Sequence, residues 1–252
     1  MLKTAILGGA LAAVFVPSAY AVSSGDIAFT GFNADRSSVS FVVLSALNPA
    51  DTILFSSANE SNGVFASNPA VYSWTAASAL SVGTVVELTN FGKSNDTAST
   101  GTLARLPGGS FTSINTSQDT IYAFTGTKTS PSFVAGISND KLSSNVFAGT
   151  GLTGSAAIQL STGSAISGAQ YSADYAKFNG SHTGYASVAE LRAALAERSN
   201  WTIDTNNGNY NSAAYASLGT TSFSIAAVPE PSHLALLLGG LMTLGVVTKR
   251  RK

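Results

Sequence analysis

The sequence predicts a mainly β protein, a β-sandwich of about nine short strands with one late amphipathic helix. Three observations predict it. Apolar and polar residues alternate over short runs, the period of a strand with one buried face. The 252 residues include 62 Ser and Thr, 16 Asn and 24 Gly, a composition rich in turn formers and in hydroxyls. Only one stretch shows the apolar spacing of three and four that a packed helix needs. The organisation expected is a signal peptide over 1–21, a β-sandwich domain over 22–227 and a C-terminal segment over 228–252.

In chain order, Asp26 to Phe32 and Ser38 to Leu47 read as the first two strands. The second is apolar on both faces for part of its length, which places it centrally in a sheet. After the turn Asn48-Pro49-Ala50-Asp51, the run Thr52 to Ser56 puts Ile53 and Phe55 on one face. Ala58 to Pro69 has no period and reads as a loop; Val71 to Thr75 and Gly83 to Asn90 are further strands. Thr102 to Leu106, Asp119 to Gly126, Ser132 to Ser138 and Ala156 to Leu160 continue the pattern. The helix spans Val188 to Ser199: Ser187 with Glu190 three residues on forms a capping box, and Val188, Leu191 and Leu195 recur on one face. Arg192 and Arg198 suit the negative end of its dipole. Trp201 and Ile203 pin it to the sheet, and Thr220 to Ala226 is a closing strand after an Asn-rich turn.

Both ends carry targeting features. Met1 to Ala21 has Lys3, an apolar stretch from Ala5 to Val16, and the small-residue box Ala19-Tyr20-Ala21, the order of a secretory signal peptide cleaved after Ala21. At the other end, Pro229 and Pro231 cannot continue a helix or a sheet ladder and hold Glu230 in an extended segment. Residues 232–248 are almost wholly apolar and as a helix reach about 25 Å, just enough for a transmembrane helix. Lys249, Arg250, Arg251 and Lys252 then form a basic anchor, which stays cytoplasmic.

This order of Pro-Glu-Pro, apolar span and terminal basic cluster resembles the PEP-CTERM sorting signal of exported bacterial proteins. The resemblance implies general secretion, transient residence in the inner membrane, and recognition by an exosortase that cleaves near Pro229, Glu230 and Pro231. It further implies release to the cell surface or extracellular matrix. The opening from Gly25 to Asp35, followed by Phe41 to Leu44 and Thr52 to Phe55, together with the segment from Tyr175 to Trp201, resembles exported β-sandwich domains of the lamin-tail kind. That second resemblance implies a fold and no chemistry.

With residues 1–21 and everything after Pro231 removed, the chain keeps eight basic residues against thirteen acidic ones. It is mildly acidic and lacks the basic face that nucleic acid requires. With no cysteine, neither a disulfide framework nor a thiolate site exists, so stability rests on burial and pairing.

Few residues offer catalytic chemistry. His233 lies in the apolar tail, which leaves His182, in a glycine-flanked loop, as the histidine of the body. There is no Gly-x-Ser-x-Gly elbow and no phosphate-binding glycine loop. A carboxylate pair for sugar cleavage would have to come from Glu60, Glu87, Glu190, Glu197 and the aspartates. Capping accounts for Glu190, an exposed helix face for Glu197, and the polar side of a strand for Glu87. The run Asp204-Thr205-Asn206-Asn207-Gly208-Asn209 begins like a calcium loop, but its glycine falls one position early and Tyr215 stands where a bidentate Glu belongs. An Asn-Gly turn explains it better; Asn33 and Asp35 are a weaker candidate still. No metal ligand set and no cofactor is therefore expected. Tyr171, Tyr175 and Tyr210 are the tyrosines expected at the surface and the candidate glycan contacts.

The function expected is a non-enzymatic structural or adhesive protein of the cell surface or extracellular matrix. The alternative is a carbohydrate-binding module for exopolysaccharide, and a secreted hydrolase comes third.

Overall fold

A computed structural model describes residues 21–226 except 58–59, 62–63, 66–67, 110–113, 115, 117–118, 141–145, 161–171 and 205–207. The signal segment up to residue 20 and the sorting segment from 227 onward, transmembrane span included, lie outside the described residues. Among the described residues, no helix is long and apolar enough to cross a membrane.

The fold is mainly β, with two six-stranded sheets and a single α-helix among the described residues. The strands are β1 (Ile27–Asn33), β2 (Ser38–Val43), β3 (Thr52–Ser57), β4 (Glu60–Ser61), β5 (Val64–Phe65), β6 (Tyr72–Thr75) and β7 (Val85–Thr89). They continue with β8 (Thr97–Ala98), β9 (Thr102–Arg105), β10 (Thr120–Thr127), β11 (Ser130–Ser138), β12 (Ala157–Gln159), β13 (Tyr175–Phe178) and β14 (Trp201–Asp204). The first sheet runs β14-β13-β1-β2-β7-β8, and the second β12-β11-β10-β3-β6-β9. Every pairing is antiparallel except β11 with β12.

The two sheets face each other across an aromatic core, the arrangement of a sandwich. Phe29 of β1 meets Phe55 of β3 edge-on at 6.3 Å, and Phe41 of β2 meets Trp74 of β6 edge-on at 5.4 Å. All four rings are fully buried, and such edge contacts contribute about 0.5–1.5 kcal/mol per pair beyond area burial. The period-2 reading of Thr52 to Ser56 holds: Ile53 and Phe55 both point into this core. Ser38–Val43 is buried on both faces and lies between β1 and β7, the central position expected of it.

The helix α1 (Val188–Ala196) buries Leu191 and Leu195. Ser187 Oγ accepts from Glu190 N at 3.2 Å, and Glu190 Oε2 accepts from Ala186 N at 2.7 Å, one residue before a capping box's usual return partner. It ends at Ala196 rather than Ser199. Glu197 is extended there, and Arg198–Asn200 forms a short 3-10 turn, so Arg198 lies beyond the helix it was expected to cap. The open carbonyls are met by side chains: Asn200 Nδ2 donates to Ala194 O and Trp201 Nε1 to Leu195 O, each at 2.9 Å. Trp201 thus ties the helix to the sheet as expected, from within an edge strand.

Three expectations are corrected. Ala58 to Pro69 is not all loop, because β4 and β5 pair within it. The strands outnumber the nine expected, since β8 and β13 lie where no period was legible. Thr220 to Ala226 is not a closing strand. It makes one parallel bridge, Tyr185 with Ile225, and belongs to a strap that crosses the outside of the first sheet.

Candidate functional site

The polar side of the first sheet is where most of the unusual chemistry gathers. Asn33, Ser40 and Glu87 come from neighbouring strands, because Asn33 pairs with Tyr175 and Ser40 with Glu87. Water does not cover them. Residues 208–219 lie across this face and bury Tyr175 with Tyr210 and Leu218.

The strap is held by hydrogen bonds to its backbone. Glu87, only 4% exposed, accepts from Leu218 N at 2.8 Å and from Ser217 Oγ at 2.6 Å. Asn33 Nδ2 donates to Tyr210 O at 3.2 Å and Tyr215 O at 3.3 Å. Asp35 Oδ2 accepts from Tyr210 N at 2.7 Å, and Arg36 donates to Asn211 O at 2.8 Å. Farther along, Phe223 N donates to Gly83 O, Ser224 N to His182 O, and Ala226 N to Tyr185 O. Gly83 has φ 89°, and a Cβ there would stand 2.2 Å from Phe223 O, so only glycine admits this approach.

Glu87 was expected on the polar side of its strand. It is on that side, but buried, and it serves as a clasp for the strap. Tyr175 and Tyr210, expected at the surface, are 8% and 6% exposed. Their rings stack on each other at 5.2 Å with an interplanar angle of 16°, and Tyr215 closes edge-on at 4.8 Å from Tyr210. Their faces are thus used internally. Burial pushes the Tyr175 phenol up, helped by Tyr215 and Glu87. Tyr171 lies outside the described residues, as do Pro229, Glu230, Pro231, Lys249, Arg250, Arg251, Lys252 and Ala19. Ala21 is exposed, and its carbonyl accepts from Ser23 Oγ at 3.0 Å.

One end of this face is acidic. Asp35 follows β1, Asp174 precedes β13 and Asp204 ends β14, three adjacent strands. Backbone bonds tie the turns together: Ala34 N donates to Asp174 O at 2.8 Å, and Asp174 N to Asp204 O at 3.2 Å. Asp174 is 2% exposed, and its Oδ1 has no hydrogen-bond partner. Burial, then repulsion from Asp35 and Asp204, pushes its carboxyl up to about 6. Burial also raises Asp35. Asp204 and Asp35, two separate weak readings in the sequence, therefore meet at a third acid that no motif marked. Among the described residues, no group of three or more His, Cys, Asp or Glu could hold a metal ion.

His182 is half-buried and stacks on Phe223 at 4.3 Å, with Nδ1 3.0 Å from Thr221 O. It is a packing element of the strap's end. A cavity of about 220 Å³ lies between the edge strands β12 and β14, lined by Ile158, Leu195, Trp201 and Ile203. Arg198 at its rim donates to Leu160 O at 2.7 Å.

Comparison with protein-family models, with curated proteins and with solved structures finds no match to this chain. The functional reading therefore rests on its own residues.

Proposed function

We propose that the chain is an exported, non-enzymatic β protein carrying a sorting signal of the PEP-CTERM type. An exosortase reads and removes this signal, leaving the β body at the cell surface or in the extracellular polymer layer in a structural or adhesive role. The observation that carries this reading is the order Pro229-Glu230-Pro231, seventeen mostly apolar residues, then Lys249-Arg250-Arg251-Lys252 at the chain end.

Each part has a physical task. The prolines keep the motif extended and reachable, the span holds the chain in the bilayer, and the basic cluster resists translocation. The last described residue, Ala226, is hydrogen-bonded to Tyr185 O at 2.8 Å, which leaves Ala227 and Val228 before Pro229. Cleavage in the motif would thus work close against a folded domain. The polysaccharide-binding alternative loses two of its three candidate contacts, because Tyr175 and Tyr210 are buried, while Tyr171 lies outside the described residues.

Fractionation with mass spectrometry of the chain termini tests the proposal. In a host with an active exosortase, surface material should contain a product beginning at Val22 and ending near Pro229 to Pro231. In a host without it, the span should stay attached and the protein in the membrane. Identical C-termini in the two hosts would overturn the sorting reading.

A further inference from the structure

We propose, resting on the sorting reading, that Ser224, Ile225 and Ala226 are a releasable tether. They must peel off the body before the protease can seat Pro229-Glu230-Pro231, and Phe223 is the stop at which peeling ends. Between Ala226 and the motif stand only Ala227 and Val228, which span at most about 7 Å when fully extended. A partner that reads an extended segment takes main-chain hydrogen bonds along it. On the body side those groups are already engaged. Ala226 N donates to Tyr185 O at 2.8 Å and Ser224 N to His182 O at 2.7 Å, and Tyr185 pairs with Ile225 in an isolated bridge. The same amides cannot serve the body and the protease together.

The hold on these three residues is slight, and it changes abruptly at the residue before them. Ser224 and Ala226 are exposed and Ile225 is half-buried, so peeling uncovers little apolar surface. Phe223 is 4% exposed. Its ring stacks on His182 at 4.3 Å and meets Phe178 at 5.6 Å, while its amide donates to Gly83 O at 2.8 Å. Pulling it out would open the core cluster to which it belongs, and burial of an aromatic ring outweighs two exposed hydrogen bonds. Release of Ser224 to Ala226 lengthens the free chain before the motif from two residues to five, or about 17 Å. The sheet beneath is left intact.

A crosslink across the bridge tests the tether. The chain has no cysteine, so Tyr185→Cys with Ile225→Cys would give a single disulfide, and bridge partners about 5 Å apart are within its reach. In a host with an active exosortase, the oxidised double variant should yield about tenfold less cleaved C-terminus than wild type, read by mass spectrometry of the exported chain. Inserting Gly-Ser-Gly-Ser between Ala226 and Ala227 should restore cutting in the crosslinked variant, which a merely damaged body would not allow. Cutting of the crosslinked chain at the wild-type rate would overturn the tether, as would failure of the insert to restore it. Hydrogen exchange in the full-length wild-type chain in detergent needs no protease. The Ser224 and Ala226 amides should exchange about tenfold or more faster than the Phe223 amide, and equal protection would overturn the release. If the wild-type chain itself stays uncut, the sorting reading fails, while the exchange pattern still decides whether this end peels.

Discussion

The two outer faces of this molecule are covered by opposite means. On the second sheet, Tyr122 and Phe124 of β10 and Phe133 of β11 meet Phe65, Phe147 and Leu152 in a second apolar cluster. Phe65 lies 5.1 Å from Phe124 and 5.6 Å from Phe133. Gly136 leaves room for Phe147, whose ring atom would stand 2.4 Å from a Cβ at that position. On the first sheet the cover is a strap fastened by Glu87, Asn33, Asp35 and Arg36 through its backbone. The difference lies in how each cover can fail. An aromatic cluster is shared by many neighbours and fails with the sheet beneath it. A strap on hydrogen bonds can lift alone, because its anchors regain water when it leaves.

Three substitutions test this contrast. Phe124→Ala removes a fully buried ring from the apolar cover and should cost about 3–5 kcal/mol of global stability, read from the midpoint of urea unfolding. Glu87→Ala strips Leu218 N and Ser217 Oγ of their acceptor and should cost about 1.5–3 kcal/mol. Its signature should be local: faster hydrogen exchange at the Leu218 and Tyr210 amides while the β2 and β10 amides stay protected. Equal loss of protection in both sheets would show that the strap is part of the cooperative core.

The smallest expected effect concerns Asp174. Its folded carboxyl titrates near 6, above its ordinary value of 3.8, so the folded state holds more protons between those values. Its contribution to stability is then lost as pH rises through about 6 and is regained on acidification. Asp35 and Asp204 are the charges that act on it, and Arg36 is the cation next along the same turn. Asp174→Asn should therefore raise Tm at pH 7.5 and leave it nearly unchanged at pH 4 or below, as followed by thermal scans across that range.

The elements legible in the sequence were those whose signal is local. Ile53 and Phe55 alternate, Phe41 sits in a run apolar on both sides, and Ser187 with Glu190 marks a helix start; each appears where its pattern put it. The helix end was misplaced because Glu197 turns extended so that Trp201 can join an edge strand, a choice made by the sheet. Tyr175 and Tyr210 are among the tyrosines expected at the surface from sequence alone. They are buried because each covers the other from segments 35 residues apart, a distance read from their positions.

Local periodicity and capping by themselves determined a β protein with one helix, and the order of residues at the two chain ends determined the sorting proposal. Pairing between distant segments decided the rest: the strap, the burial of Glu87 and the meeting of Asp35, Asp174 and Asp204. The physical reason is that a strand's period reports which face is buried but not what buries it. A polar face reads as solvated until a later segment brings the donors that satisfy it.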